Sequence, residues 1–149
     1  MERKKHTKWD TLYDSEHRSL FSKIEESAIN NYFSKIFTKA ILSSTYLKSG
    51  KVFEPGSGGG MASARLASLG FELTCMDLSQ NALRKSMSLF KSLSLDGKYL
   101  LGDIFHIPIN NEQFDIVFNQ GVMEHFRLEG MNPSDEYTKC FVLLKKVGH

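Results

Sequence analysis

The chain has 149 residues, 41% of them hydrophobic and 24% charged, which suits one soluble globular domain and argues against wholesale disorder. Nineteen basic against seventeen acidic side chains leave a net charge of +2, too small for a strong electrostatic nucleic-acid binder. No apolar run approaches a membrane span, and two cysteines, Cys75 and Cys140, cannot build a disulfide framework or a four-thiolate zinc site.

Residues 1–19 are polar, with Arg3, Lys4, Lys5 and Lys8 gathered at the start, and read as a solvated basic tail. Met1 to Asp10 has no apolar core segment, so it does not read as a secretory signal, and the expected location is cytoplasmic. Residues 20–149 read as a single domain. Within it, residues 20–48 form an N-terminal helix. Phe21, Ile24, Ala28, Ile29, Tyr32, Phe33, Ile36, Phe37, Ala40 and Ile41 recur at helical spacing, and Ser49-Gly50 ends the run.

From residue 49 onward, short apolar runs alternate with helical stretches. Lys51 to Glu54 reads as a strand, followed by a glycine cluster from Gly56 to Gly60. Met61 to Leu69 has helical spacing and Gly70 stops it. Phe71 to Met76 is the next strand, with Asp77 at its end and Ser79 placed as a helix N-cap. Ala82, Leu83, Met87, Phe90 and Leu93 mark a helix face. Lys98 to Leu101 and Phe114 to Phe118 are further strands, and Asp135 to Leu144 has helical character. Strand–helix alternation of this kind predicts an α/β fold, an open, mostly parallel Rossmann-like sheet with flanking helices.

A glycine-rich turn between strand and helix lets a ligand approach the backbone where a side chain would block it. The carboxyl end of a strand, beside a helix N-terminus, is where open α/β sheets bind ligands. A dinucleotide site needs glycines spaced G-x-G-x-x-G, and counting from Gly56 places Met61 at the third position. The spacing present is acidic-x-Gly-x-Gly-x-Gly, filled by Glu54, Gly56, Gly58 and Gly60. A carboxylate two residues before the first glycine would crowd a pyrophosphate and attract a cationic ligand.

Here the chain resembles the class I S-adenosylmethionine-dependent methyltransferases. Asp77 stands 21 residues after Gly56 at the end of the second strand, with Leu78 beside it. Gly102-Asp103-Ile104 is similar to the family's third-strand motif, Phe114 to Phe118 to its fourth strand, and Asn119 to Phe126 to the loop that follows. Lys8 to Tyr13 is similar to the approach to the family's first helix. The resemblance implies S-adenosyl-L-methionine as cofactor. Gly56, Gly58 and Gly60 would make the close backbone contact, and Glu54 would lie near the donor's amino end. Asp77 would hold the ribose, with Leu78 beside it among the cofactor-binding residues, Asp103 and Ile104 would lie on the adenine, and Asn119 and Gln120 would flank the methionine end.

The resemblance also implies methyl transfer to a small-molecule acceptor, because the Asn/Asp-Pro-Pro-aromatic motif of amino-group methylation is replaced by Asn119-Gln120-Gly121-Val122. His125, beside Glu124, reads either as an acid–base group or as a loop histidine packed on the next helix. His6, His17, His106 and His149 lack metal-ligand spacing, so no metal is expected. Against the family's seven strands the chain supplies about four, which implies an incomplete core: a fragment, a truncated gene product, or a chain whose open sheet edge is covered by a partner or a second copy. Two competing readings stay open: a donor-binding module without catalysis, and a nicotinamide-dependent oxidoreductase, the latter disfavoured by Glu54 and Met61.

Overall fold

The computed structural model describes residue 10, residues 32–109, residues 113–120 and residue 122. The elements run α1 (Tyr32–Thr45), β1 (Lys51–Pro55), α2 (Met61–Ser68), β2 (Glu72–Asp77), α3 (Gln80–Ser92), β3 (Gly97–Leu101), a 3-10 turn (Ile104–His106) and β4 (Ile116–Val117). The four strands form one sheet in the order β3-β2-β1-β4, every neighbouring pair parallel. Parallel neighbours cannot be joined by tight hairpins; α2 and α3 carry the chain between β1, β2 and β3. The expected α/β fold is the one observed.

Strand pleating separates the core into two layers. Val52, Leu73, Cys75 and Ile116 join Leu66 of α2 and Leu83, Leu89 and Phe90 of α3 in one buried cluster, against which Phe37, Ile41 and Leu42 of α1 pack. Phe53, Met76 and Val117 form a second cluster, with Leu100, Ile107, Ile109 and Phe114 against it. Val52 and Phe53 are each fully buried although adjacent in sequence. A strand covered on both faces reads as a continuous apolar run, which is how β1 and β2 appear in the sequence.

Four details differ from the sequence reading. Helix α1 ends at Thr45 rather than at Ser49-Gly50. The hydroxyls of Ser43, Ser44 and Thr45 bond back to the carbonyls of Ala40 and Ile41, competition that weakens a helix end. Tyr46 then takes a left-handed φ of 58°, and its N–H donates to the Leu42 carbonyl at 2.9 Å, an αL cap. Tyr32 and Ile36, placed on the core stripe by spacing, are 81% and 48% exposed.

On α3 the buried face carries Ser86 and Leu89 in place of Met87, which is 44% exposed. The buried Ser86 donates its hydroxyl to a carbonyl of the glycine turn, a partner that a Met side chain could not use. The β4 ladder covers Ile116 and Val117 instead of Phe114 to Phe118; beside it the Asp115 N–H donates to the Lys51 carbonyl at 2.8 Å and the Asp115 carboxylate takes the Lys51 N–H at 2.7 Å. Phe114 stacks on Phe53, ring centroids 5.1 Å apart. The expected tail apart from Asp10, the first part of the N-terminal helix, His125 and the Asp135–Leu144 helix lie outside the described residues.

Candidate functional site

The chain goes from β3 at one edge to β4 at the other side of β1, so β1 and β4 flank the point where strand order reverses. Crevices at the carboxyl ends of such strands hold ligands. β1 ends at Pro55, and its glycine turn folds over the end of β2: the N–H groups of Gly56 and Ser57 both donate to the Met76 carbonyl, at 2.7 and 2.9 Å.

Glycine is required in this turn for two reasons. Gly56 has φ 73°, and a Cβ there would lie 2.5 Å from a methyl of Val122, from the loop after β4. Gly60 has the same φ at the N-cap of α2, and its Cβ would meet the Ser86 hydroxyl at 2.6 Å. That hydroxyl donates to the Gly58 carbonyl at 2.9 Å, so α3 fixes the turn from below. In front of Gly59 a Cβ would meet nothing within 4 Å, so the turn is open on that side.

Asp77, at the end of β2, faces this turn. Its Oδ2 accepts the Gly58 N–H at 2.8 Å and its Oδ1 accepts the Ser79 N–H at 2.9 Å. Burial raises its carboxyl above the usual range, while the N–H groups of Ser79, Gly58 and Leu78 oppose that rise. Three backbone N–H groups, those of Ser79, Gly58 and Leu78, thus converge on this carboxylate at the end of β2. The Asp77 carbonyl also receives the Gly102 N–H at 3.0 Å, which brings the end of β3 alongside.

Ser79 caps α3 as its sequence position predicts, accepting the Ala82 N–H at 3.1 Å. Its hydroxyl donates to Asp10 at 2.6 Å, and Asn81 donates to the Asp10 carbonyl at 3.2 Å. Asp10 therefore reaches the same end of the sheet.

Glu54 is 2% exposed. The Ser63 hydroxyl on α2 donates to its Oε2 at 2.5 Å. Burial pushes the Glu54 carboxyl up to about 8, the Ser63 bond pulling the other way and the nearby Asp77 adding to the rise. Cys75, its register partner on β2, is fully buried, and burial pushes its thiol up to about 12. The Ser57 hydroxyl is buried beside them without a hydrogen-bond partner.

The other expected site residues are placed less uniformly. Asp103 caps the 3-10 turn through the Phe105 N–H at 3.0 Å and stands 3.9 Å from His106. Ile104 is buried. Asn119 is half-buried and Gln120 exposed just beyond β4, while Leu78 is half-buried. The geometry thus joins Gly56, Gly58, Gly60, Asp77 and the Gly102–Asp103 corner directly, with Glu54 beneath. Sequence reasoning missed Ser63, Ser86 and Val122. Ser63 and Ser86 are polar residues on otherwise apolar helix faces, a signal that was available. Among the described residues no group of three or more His, Cys, Asp or Glu could hold a metal.

The sequence pattern of the methyltransferase domain matches residues 53–149. No curated protein matches the chain. A Methanococcus maripaludis protein described as an S-adenosyl-L-methionine-dependent methyltransferase is similar in structure, with TM-score 0.67 at 17% identity, over 89% of this chain and 59% of its own. Magnesium protoporphyrin IX methyltransferase from Synechocystis, solved with bound S-adenosylmethionine, gives TM-score 0.64 at 16% identity, over 76% and 53% of the two chains. An S-adenosylmethionine-dependent methyltransferase from Clostridium acetobutylicum gives 0.61 at 20% identity, over 85% and 51%. At these identities the likeness is one of fold, and the chain spans about half to three-fifths of the length of these structures.

Proposed function

Because the chain belongs to the methyltransferase domain family, we propose that it binds S-adenosyl-L-methionine at the carboxyl end of β1 and β2 and transfers its methyl group to a small-molecule acceptor. The observation that carries this reading is the Asp77 carboxylate at the end of β2, tied by the Gly58 N–H to the glycine turn and by the Ser79 N–H to the start of α3. The residues present fit the donor: a diol acceptor, a side-chain-free turn open at Gly59, and a buried carboxyl behind it.

When bound, the donor supplies a methyl group on a sulfonium, already activated for in-line displacement by an acceptor lone pair. The protein's work is then alignment and exclusion of water. Asp77 holds the ribose hydroxyls, with Leu78 beside it. Asp103 and Ile104 border the adenine, the buried Ile104 supplying an apolar surface. Gly56, Gly58 and Gly60 keep the turn close, and Glu54 lies behind the donor's amino end. Asn119 and Gln120 flank the methionine end at the switch point. A general base is needed only where the acceptor must lose a proton during attack; His125 is the candidate for that role.

The small-molecule acceptor rests on the loop Asn119 to Val122, which lacks the motif used on exocyclic amino groups. Titration calorimetry of S-adenosylhomocysteine into the 149-residue chain tests the donor site. Saturable one-to-one binding supports it, and absence of binding by a chain that circular dichroism shows folded overturns it. Formation of S-adenosylhomocysteine in the presence of an acceptor separates an enzyme from a donor-binding module. Saturable binding of a nicotinamide dinucleotide, without binding of the donor, would favour the oxidoreductase reading.

A further inference from the structure

Ser79 makes three hydrogen bonds at the start of α3, and one of them needs a residue from far away in the chain. The side chain is fully buried. Its backbone N–H holds Asp77 Oδ1 at 2.9 Å, and its Oγ accepts the Ala82 N–H at 3.1 Å. A hydroxyl also carries one proton to donate, and when buried that proton needs an acceptor. Asp10, 69 residues earlier, supplies it at 2.6 Å. The Asn81 side-chain amide adds a second link, donating to the Asp10 carbonyl at 3.2 Å. Asp10 is thus held through both its side chain and its backbone by the entry to α3.

This contact has an electrostatic cost. Burial is the main cause of the raised Asp77 carboxyl, and the charge of Asp10 adds to that rise. The positive end of α3 offsets the repulsion between the two acids. The helix has no acid of its own in its first turn, where Asp and Glu are enriched in general. Two carboxylates from outside the helix, Asp77 of β2 and Asp10, stand there instead. Ser79 joins them, with its hydroxyl on one and its N–H on the other.

We propose that Asp10 is a positioning residue of the donor site, acting through Ser79 to hold the Asp77 carboxylate in its ribose-binding geometry. The inference rests on the donor reading above and extends it to a residue remote in sequence. Without Asp10, the buried Ser79 hydroxyl loses the acceptor for its proton, and the rotamer that also caps Ala82 is no longer favoured. The turn Asp77-Leu78-Ser79 then loosens, and two of the N–H groups that face the Asp77 carboxylate, those of Leu78 and Ser79, belong to it. Asp10 acts at one remove from the ligand, by preorganising the group that meets it.

Calorimetric titration of S-adenosylhomocysteine into the full 149-residue chain and its variants tests this. Asp10→Ala should weaken binding by about three- to tenfold with unchanged circular dichroism, and Asp10→Asn, which keeps an acceptor oxygen, by less. On a Ser79→Ala background, where the link is already cut, Asp10→Ala should change affinity by less than about twofold. Asn81→Ala releases Asp10 by its backbone, and should weaken binding without adding to the loss in Asp10→Ala. A pH profile separates positioning from a merely structural role. Among the described residues, the titratable groups coupled to Asp77 are Asp10, Glu54 and Cys75. Removing the Asp10 charge lets Asp77 stay ionised further into acid, while Glu54 and Cys75 are common to parent and variant. The loss of affinity on acidification should therefore begin at lower pH in Asp10→Asn than in the parent. Parental affinity in Asp10→Ala, full additivity in both backgrounds, or an unshifted acid limb overturns the assignment and leaves the donor site standing. Absence of binding by the folded parent overturns the donor reading and this inference with it.

Discussion

The Gly58 N–H donates to Asp77 Oδ2 at 2.8 Å, so the turn after β1 and the end of β2 form one rigid corner. If this corner holds a ribose, Asp77→Ala should weaken S-adenosylhomocysteine binding by roughly tenfold to a few hundredfold, the range for lost hydrogen bonds to a charged acceptor. Titration calorimetry on the folded variant reads it, and an unchanged dissociation constant would remove Asp77 from the site.

Glu54 makes stability depend on pH in an unusual direction for a carboxyl. Its pKa rises from 4.5 to about 8 on folding, so between those values the folded state holds a proton that the unfolded state has released. Stability from this group is full below about pH 4.5 and falls progressively as pH rises towards 8. Thermal unfolding followed from pH 5 to 8 should show a falling Tm, and Glu54→Gln, which cannot ionise, should flatten that slope. A variant with the parent's slope would refute the assignment.

Donor binding should carry the complementary signature. A cationic amino group placed beside Glu54 favours its ionised form, so below pH 8 binding expels a proton and affinity for S-adenosylhomocysteine rises with pH. Calorimetry in buffers of different ionisation enthalpy counts that proton. Ser63→Ala removes the bond that holds the Glu54 pKa down, and should move the midpoint of the rise to higher pH. Identical profiles for parent and variant would separate Ser63 from this chemistry.

The glycines should respond unequally to a single methyl group. Gly56→Ala and Gly60→Ala combine a left-handed φ with a Cβ clash, and each should cost about 1–3 kcal/mol of stability. Gly59→Ala meets open space and should change stability by less than about 0.5 kcal/mol. Denaturant midpoints decide the matter, and equal losses at all three positions would contradict the geometry.

Local pattern carried most of the fold. β1 and β2 announce themselves as apolar runs, and the alternation with helices implies parallel pairing. Spacing also placed Asp77 and the glycines together, because a turn leaving β1 and an acid ending β2 are neighbours in any parallel pair. Periodicity could not choose between Ser86 and Met87: both lie three or four residues from Leu83, and a carbonyl on the glycine turn, far away in sequence, decides. Nor could it show Glu54 buried, since that depends on α2 returning Ser63 over the strand.

Cys75 supplies an internal clock for the sheet. It is fully buried between the sheet and the layer of α2 and α3, with a thiol pushed up to about 12, so a maleimide or iodoacetamide can reach it only when that layer lifts from the sheet. Its labelling rate, separated from that of Cys140 by peptide mapping, therefore counts openings of the scaffold directly beneath the ligand cradle. A ligand seated on the corner of Gly58 and Asp77 should slow that rate in proportion to its occupancy, without any engineered reporter.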